Sequence, residues 1–234
     1  MMHKLGCEVK IVKILVRNLE KAAKKVEDSS ILTNDWESIV SDPQIDLVIE
    51  LMGGLSPAKE YITQALEAGK HVVTANKDLV AVAGKELLDT AQEHKVDFLF
   101  EAAVAGGIPI IRPLKQCLAG NHITEVMGIV NGTTNFILTK MTQEGMEFQE
   151  ALDLATELGY AEADPTADIE GLDAGRKVAI LASVAFHSRV VFGDVAIEGI
   201  TKITATDIRY AKEMGCTIKL LGVTRNTEDG IEAY

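Results

Sequence analysis

Residues 46–75 read DLVIELMGGLSPAKEYITQALEAGKHVVTA, and this stretch decides the predicted fold. The run DLVIELM is short and apolar and ends at Gly53-Gly54, which is typical of a buried parallel strand. Ser56-Pro57 then predicts a helix start, with serine as the N-cap and proline at the first helical position. The helix stops at Gly69, and the strand HVVTA follows over residues 71–75. Strand, helix and strand at this spacing predict a βαβ unit.

The same alternation extends to both sides of this unit. The run CEVKIVKILVR over residues 7–17 predicts a strand, and a helix is predicted over 19–27. After HVVTA we expect a helix over 79–95 and the strand DFLFEAAV over 97–104. This pattern favours a parallel sheet covered by helices on both faces, which binds ligands at the carboxyl ends of its strands. The segments to search for ligand contacts are therefore Gly53-Gly54, Asn76-Lys77 and Ala105 to Pro109.

The second half of the chain predicts a different, α+β unit. It begins with a long helix over 110–119 and the strand TEVMGIV, which runs into Asn131-Gly132-Thr133-Thr134-Asn135. Apolar periodicity predicts further helices over 148–158, 172–187 and 204–214. The strand TIKLLGVTR, the turn NTEDG and the last four residues predict a hairpin.

Both ends of the chain suggest a piece of a longer protein. Leu5-Gly6 resembles a helix C-terminus with its glycine stop, but few residues precede it. The second strand of the predicted hairpin stops soon after it begins. A dinucleotide-binding sheet opens with a strand, the motif G-x-G-x-x-G and a helix, and the sequence contains no such motif. We therefore expect a first strand and its glycine loop before Met1.

The composition of the chain argues against several classes of function. The sequence has 23 Lys and Arg against 35 Asp and Glu, and this net charge of -12 argues against a nucleic-acid binder, which must neutralise phosphates. Cys7, Cys117 and Cys216 are too widely spaced for a metal clip or a disulfide framework and fit a reducing compartment. No apolar run approaches the about 20 residues of a membrane helix, and the start has no signal-peptide core. We expect no membrane association and a cytoplasmic location.

Three residues near predicted strand ends are candidates for cofactor contacts. Lys77 directly follows HVVTA, where a lysine can meet a phosphate, a carboxylate or a reacting carbonyl. The alternative is that Lys77 caps the next helix or is a surface charge. Arg17 ends the strand where, in a dinucleotide-binding sheet, arginine favours a ribose 2′-phosphate, and the alternative is a solvated strand end. Gly53 ends the strand DLVIELM and is the third candidate.

The densest group of charged residues is GYAEADPTADIEGLDAGRK at residues 159–177. Asp173 and Lys177 are four residues apart at the start of a predicted helix, so they share one face and can pair. Taken alone, such a pair is more often a solvated salt bridge. Because the helix beyond it is apolar (VAILASVAF), Lys177 stands at the mouth of a core helix, where flanking carboxylates tune a lysine for proton donation.

Four motifs resemble those of homoserine dehydrogenases in sequence and in order: AEADPTADIEGLDAGRK, TANKDL, EAAVAGGIPI and NGTTNFIL. The resemblance covers essentially the whole chain. It implies an NAD- or NADP-dependent oxidoreductase, usually a homodimer, that interconverts L-aspartate 4-semialdehyde and L-homoserine in threonine, methionine and isoleucine biosynthesis. It also implies an α/β fold in two parts. Residues 1–109 would form a Rossmann-type parallel-sheet domain without its first strand, and residues 110–234 an incomplete α+β substrate and dimerisation domain.

The resemblance implies roles for individual charged residues. Lys177 is then the proton donor to the aldehyde oxygen during hydride delivery, and Lys77 lies between the cofactor and the substrate. Glu162 and Asp173 bind the amino and hydroxyl end of the substrate, and Asp168 supports them. An amino-acid substrate carries an ammonium group, so a carboxylate such as Glu162 has an evident partner.

The resemblance also implies a pocket edge and a cation site. Gly132 and Thr133 form the loop beside the substrate, Tyr160 borders the pocket, and Gly159 lies near the nicotinamide. A sodium ion would be held mainly by backbone carbonyls, which suits a hard cation. Its site is implied at Glu101, Val104, Gly106 and Ile108. The alternative for this segment is a strand end and tight turn that bind nothing.

A second class of function remains open from the sequence. The chain could be a non-catalytic fragment or assembly module that keeps the family's pocket without the cofactor loop. We hypothesise that the polypeptide alone binds NADP poorly and turns over little, because no helix N-terminus is present to hold the pyrophosphate.

Overall fold

The computed structural model describes residues 6–234, which divide into two compact units. The first unit comprises the described residues up to Val73 together with Glu86–Leu99, and the second comprises Thr74–Lys85 together with Phe100–Tyr234. The helix C-terminus predicted at Leu5-Gly6 stays a prediction, because Leu5 lies outside the described residues.

The first unit contains two small sheets with helices between their strands. Strand β1 (Ile14–Leu15) pairs in parallel with β2 (Leu32–Thr33). The second sheet has the order β3-β4-β5, with β3 at Leu47–Glu50, β4 at His71–Thr74 and β5 at Phe98–Leu99. Strands β4 and β5 are parallel, which confirms the predicted strand direction. The helices are α1 (Leu19–Ala23), α2 (Glu37–Val40), α3 (Ala58–Glu67) and α4 (Lys77–Glu93), the last of which is shared between the two units.

The strands are shorter and more exposed than predicted. Of residues 7–17 only Ile14–Leu15 form a strand, although the N–H of Val16 also donates to the carbonyl oxygen of Thr33 at 2.8 Å. The strand predicted over 97–104 ends at Leu99, where the chain enters a 3₁₀ turn at Glu101–Ala103. Strand β3 is not buried on both faces as predicted: Leu47 is 41% and Ile49 59% exposed, and both lie on the same face of the strand because side chains alternate along it.

Helix α3 begins differently from the prediction and ends as predicted. The Ser56-Pro57 peptide bond is cis, and Pro57 itself occupies the N-cap position without a side-chain capping bond. The predicted serine cap was therefore wrong. At the other end the helix stops at Glu67, and Gly69 has a φ of +75°, which confirms the glycine stop.

The second unit combines helices with one antiparallel sheet. Its strands have the order β6-β7-β8, and β7 and β8 form the predicted hairpin. The helix predicted over 110–119 is present but shorter: the chain is helical from residue 111 to Cys117, and Pro113–Cys117 is π-helical. The elements in chain order are β6 (Glu125–Gly128), α5 (Gly132–Glu144), α6 (Phe148–Glu157), α7 (Thr166–Ile169), α8 (Leu172–Phe186), α9 (Ala205–Glu213), β7 (Gly222–Thr227) and β8 (Gly230–Ala233).

Close packing of α8 on β7 places the start of α8 beside the end of β6. Gly222 opens β7, and a Cβ atom there would lie 2.6 Å from Cγ2 of Val178 and 3.1 Å from Cγ2 of Val130. Real Cβ atoms do not approach other atoms so closely, so glycine permits this contact. Val130 follows β6 and precedes α5, so three elements converge at the mouth of α8.

No helix in the described part of the chain combines the length and the apolar character needed to cross a bilayer.

Candidate active site

Asp173 and Lys177 lie one turn apart at the start of α8, and their side chains pair. The Lys177 ammonium nitrogen lies 2.6 Å from Oδ2 of Asp173 and donates a second hydrogen bond of 2.7 Å to the carbonyl oxygen of Val130. The side chain of Asp173 is 8% exposed and that of Lys177 17% exposed. The pair predicted from the spacing is confirmed, and it is buried rather than solvated.

A second ammonium group reaches the other oxygen of the same carboxylate. Lys77 is the first residue of α4, and its Nζ lies 3.3 Å from Oδ1 of Asp173. Lys77 does not cap its helix, because Asn76 accepts a hydrogen bond from the Leu79 N–H at 3.1 Å. The two oxygens of Asp173 thus face different lysines from different helices.

Asn131 connects this carboxylate to Asp168. Its side-chain Nδ2 donates to Oδ1 of Asp168 at 2.7 Å and to Oδ2 of Asp173 at 2.9 Å. Its Oδ1 accepts from the N–H and the hydroxyl of Thr134, at 2.8 and 2.9 Å, and so caps α5. Sequence analysis missed Asn131 as a functional residue. The available signal was an asparagine directly before a helical run, the usual N-cap pattern.

Opposing effects set the protonation state of Asp173. Burial is the largest effect and by itself would raise the pKa, because it disfavours the charged form. The hydrogen bonds from Lys177 and Asn131, together with the charges of Lys177 and Lys77, outweigh it and hold the pKa of Asp173 below its usual value. The site therefore keeps a carboxylate between two ammonium groups.

Residues predicted to border the substrate are connected at the N-terminal end of α5. Gly132 is the first residue of this helix, and the hydroxyl of Thr133 donates to the carbonyl oxygen of Tyr160 at 2.8 Å. The ring of Tyr160 is stacked on Phe136 with 4.5 Å between ring centroids. Gly159 precedes Tyr160 with a φ of +77°, a backbone conformation that favours glycine.

The two remaining acidic candidates occupy different environments. Asp168 lies in the short helix α7, is half-buried and is held by Asn131. Glu162 lies in the loop between α6 and α7 and is exposed. Within residues 6–234, Glu162 makes no hydrogen bond or ion pair. The structure therefore does not bring it into the hydrogen-bonded group around Asp173.

The side chain of Glu101 binds the backbone that follows the implied cation loop. Its two carboxylate oxygens accept hydrogen bonds from the N–H groups of Ile110, Ile111 and Arg112 at 2.6, 2.8 and 2.8 Å. Burial opposes its ionisation, but these backbone bonds and the charge of Arg112 hold the pKa of Glu101 below its usual value. These bonds cap the helical segment that begins at residue 111, because the first N–H groups of a helix have no partner within it.

The loop itself turns sharply at two consecutive residues. Ala105 has a φ of +61° and Gly106 a φ of +57°, while Val104 is buried and Ile108 is 71% exposed. Among the described residues no group of three or more His, Cys, Asp or Glu side chains converges on a point. Because the Glu101 carboxylate is occupied by backbone N–H groups, a cation here would depend on carbonyl oxygens, which suit a hard ion.

The two candidates in the first unit lie at or near strand ends. Arg17 is exposed, two residues after β1. Gly53 follows β3 with a φ of +74°, and its N–H donates to Oε1 of Glu50 at 3.1 Å. The same oxygen accepts from the N–H of Met52 at 2.6 Å. Glu50 therefore shapes the turn after β3 and occupies the Gly53 N–H.

Two family models match the chain over consecutive ranges. The model described as homoserine dehydrogenase matches residues 109–233, and the model of the homoserine dehydrogenase NAD binding domain matches residues 2–101. The chain belongs to the homoserine dehydrogenase family. The Asp173, Lys177 and Asn131 group lies in the first of these ranges, whereas Lys77, Arg17 and Gly53 lie in the NAD-binding range.

Named homoserine dehydrogenases are similar to nearly the whole chain. The homoserine dehydrogenase of Bacillus subtilis is 50% identical over 232 residues, which are 99% of this chain and 54% of the relative. That of Synechocystis is 53% identical over 215 residues, which are 92% of this chain and 50% of the relative. The chain thus spans about half the length of the curated homoserine dehydrogenases that it matches.

Solved homoserine dehydrogenase structures show the same fold. The crystal structure of a homoserine dehydrogenase from Thiobacillus denitrificans has a TM-score of 0.90 at 50% identity and covers 95% of this chain and 52% of its own. A hyperthermophilic archaeal homoserine dehydrogenase in complex with NADPH has a TM-score of 0.73 at 27% identity, covering 92% of this chain and 64% of its own. The predicted Rossmann-type α/β fold with a second, α+β part is confirmed.

Proposed function

We propose that the chain carries the catalytic centre of a homoserine dehydrogenase, which interconverts L-aspartate 4-semialdehyde and L-homoserine with NADP or NAD. The observation that carries this proposal is the pair of ammonium groups, Lys77 and Lys177, on the two oxygens of the buried Asp173 carboxylate. When bound, the nicotinamide cofactor supplies or accepts the hydride. Similarity to named homoserine dehydrogenases over nearly the whole chain favours this proposal over the alternative of a non-catalytic module.

Lys177 is the proton donor in this proposal. Reduction of an aldehyde builds negative charge on its oxygen, and a preplaced ammonium group stabilises that charge and donates the proton. A lysine ammonium has three N–H donors. Among the described residues, Asp173 and the Val130 carbonyl engage two of them, which leaves one for the substrate oxygen. The 2.6 Å contact with Asp173 fixes the direction of the ammonium group.

The other charged residues bind and orient the substrate. Lys77 acts between the substrate and the cofactor, and its contact with Asp173 ties it to the proton donor. Glu162 is exposed and without a partner among the described residues, so its carboxylate is available to the substrate ammonium group. Asp168 supports Asp173 through Asn131. The pocket edge is formed by Gly132, Thr133 and Tyr160.

The cofactor contacts are assigned to four residues: Lys77, Gly159, Arg17 and Gly53. Exposure of Arg17 supports a contact with a ribose 2′-phosphate, which would favour NADP. The Gly53 N–H already binds Glu50, so Gly53 would permit close approach of the cofactor rather than donate to it. Replacement of Arg17 by Ala is expected to weaken NADP binding more than NAD binding.

A sodium ion fits the loop that follows Glu101 only through backbone oxygens. The ligands would be carbonyls of Glu101, Val104, Gly106 and Ile108, because the Glu101 carboxylate holds three N–H groups instead. The donor set suits a hard cation. Its role would be to rigidify the loop before the π-helical segment Pro113–Cys117.

The proposal includes an organisation for the whole chain. Residues 1–109 would form the NAD(P)-binding domain, and residues 110–234 the substrate and dimerisation domain of a homodimer. We place the protein in the cytoplasm, which the three free and exposed cysteines, Cys7, Cys117 and Cys216, support.

A chimera tests the proposed function. Because the chain covers 54% of the Bacillus subtilis homoserine dehydrogenase, this chain would replace the matched 232 residues of that enzyme. Homoserine-dependent reduction of NADP or NAD is then measured by absorbance of the reduced cofactor. We expect turnover within about tenfold of the parent enzyme, a change of about 1.4 kcal/mol. A folded chimera that binds cofactor but does not oxidise homoserine would contradict the proposal.

A further inference from the structure

We propose that Asn131 is a positioning residue that holds the Asp173 carboxylate and the Lys177 ammonium in their productive arrangement. The inference rests on the proposed function of the site, which assigns the chemistry to Lys177. It adds a residue that the sequence motifs left without a role.

The side chain of Asn131 uses its whole hydrogen-bonding capacity at one point of the fold. An asparagine amide has two N–H donors and an oxygen with two lone pairs. Both donors go to carboxylates, of Asp168 and Asp173, and both lone pairs accept from Thr134. A flipped amide would set its oxygen against two carboxylates, so only one orientation is compatible with the site. Asn131 is 4% exposed, and these bonds are protected from water.

The bonds form a closed ring around the proton donor. Asp173 Oδ2 accepts from both Lys177 and Asn131, and Lys177 also donates to the carbonyl oxygen of Val130, the residue before Asn131. The backbone from Val130 to Asn131 closes the ring. The Asn131 side chain therefore holds one partner of the Lys177 ammonium, Asp173 Oδ2, and its backbone adjoins the other, the Val130 carbonyl.

Asn131 also separates like charges. Asp173 faces Lys177 from its own helix α8 and Lys77 from α4, while Asp168 approaches from α7. The amide NH₂ group gives each carboxylate one hydrogen bond, at 2.7 Å to Asp168 and at 2.9 Å to Asp173. The bond to Asp173 is one of the contacts that hold the pKa of this carboxyl below its usual value.

The test replaces the donor and keeps the helix cap. In Asn131→Ser the serine oxygen can still cap α5, but no side-chain N–H remains for the carboxylates. We expect kcat for homoserine oxidation in the chimera to fall about tenfold or more, with a smaller change in KM. In the 234-residue chain itself, the ¹³C NMR signal of the Asp173 carboxyl is expected to titrate at higher pH than in the wild type. The signal is assigned through its loss in Asp173→Asn.

Asn18→Ser is the matched control. Asn18 caps α1 through the same kind of bond, since its Oδ1 accepts from the Lys21 N–H at 2.8 Å, but it has no carboxylate partner among the described residues. This control is expected to leave kcat and the Asp173 titration unchanged. An effect of equal size in both variants would show that exchanging any capping asparagine for serine is sufficient, and it would overturn the proposal.

Asn131→Asp is the second test variant, to be used if Asn131→Ser does not fold. It keeps the shape and the cap but puts a third carboxylate where the donors were, so a carboxyl group is expected to titrate at raised pH and kcat to fall. A folded Asn131 variant with wild-type Asp173 titration and wild-type kcat overturns the positioning role. The two proposals can fail separately. If the wild-type chimera has no turnover but an Asn131 variant of the chain raises the pH at which Asp173 titrates, the result supports the positioning of Asp173 and contradicts only the proposed function.

Discussion

The Lys177 ammonium lies 2.6 Å from Oδ2 of Asp173, one turn away on α8, and both side chains are largely withdrawn from water. Lys140 and Glu144 have the same spacing on α5 and a similar separation of 2.5 Å, but their side chains are 26% and 47% exposed. Exposed pairs of this kind contribute little, because water screens them. The Asp173–Lys177 pair also contacts Val130, Asn131 and Lys77. Because several elements converge on it, the pair is the centre of a candidate active site and not an isolated surface contact.

Loss of the Lys177 ammonium should abolish turnover with little effect on cofactor binding. For Lys177→Ala in the chimera, which supplies the rest of a full-length enzyme, we expect kcat to fall by about 10²–10⁴-fold, the usual contribution of a general acid. The dissociation constant of NADP, measured by cofactor fluorescence, should change little. Lys140→Ala removes a lysine with the same i, i+4 spacing from α5 and serves as the control. Near-normal turnover in Lys177→Ala would remove Lys177 from the proton-donor role.

The stabilisation that Asp173 contributes should depend on pH. Its folded-state pKa lies below its unfolded value, so the contribution is fully present above the ordinary aspartate pKa of about 3.9 and is lost as the pH falls through the folded-state pKa. We expect Asp173→Asn to lower the free energy of unfolding by about 1–3 kcal/mol at neutral pH. Urea denaturation should show this difference shrinking below the ordinary aspartate pKa. A difference that stays constant down to acid pH would contradict the assignment.

Close packing of α8 against β7 should make Gly222 intolerant of a methyl group. In Gly222→Ala the added Cβ would meet Val178 at 2.6 Å, so we expect a loss of about 1–3 kcal/mol in the free energy of unfolding. Gly128 pairs with Gly222 across the sheet, and a Cβ there meets nothing within 4 Å. Gly128→Ala is therefore the matched control. Equal thermal melting temperatures for the two variants would show that the contact with Val178 relaxes at no cost.

The hydroxyl of Thr133 should matter for substrate binding because it holds the loop that carries Tyr160. Thr133→Val removes the 2.8 Å bond to the Tyr160 carbonyl and leaves this acceptor without the hydroxyl donor. We expect KM for homoserine to rise about fivefold or more, from a loss of about 1–3 kcal/mol. Thr142→Val is the control, since the Thr142 hydroxyl bonds only within α5, to the Leu138 carbonyl at 2.7 Å. A KM unchanged by Thr133→Val would show that the loop carrying Tyr160 does not contribute to substrate binding.

Local patterns in the sequence predicted those features whose cause is itself local. The spacing of Asp173 and Lys177 predicted their pair, and Gly69 predicted the end of α3, because helix geometry and backbone dihedrals depend on a few neighbouring residues. The hairpin of β7 and β8 was predicted from its turn in the same way. The motifs also identified the family before any contact was known.

Tertiary structure decided what depends on partners distant in the sequence. Burial of the Lys177 pair comes from Val130 and Asn131, which lie 47 and 42 residues from their partners on α8. Asn131 looked like an ordinary helix cap until Asp168 and Asp173 were found beside its other atoms. Exposure of Ile49 could not be predicted from its apolar run, since tertiary packing decides which face of a strand is covered. The sequence by itself determined the helical spacing and the identity of the charged groups, whereas long-range packing determined which of them are buried together and hence which can do chemistry.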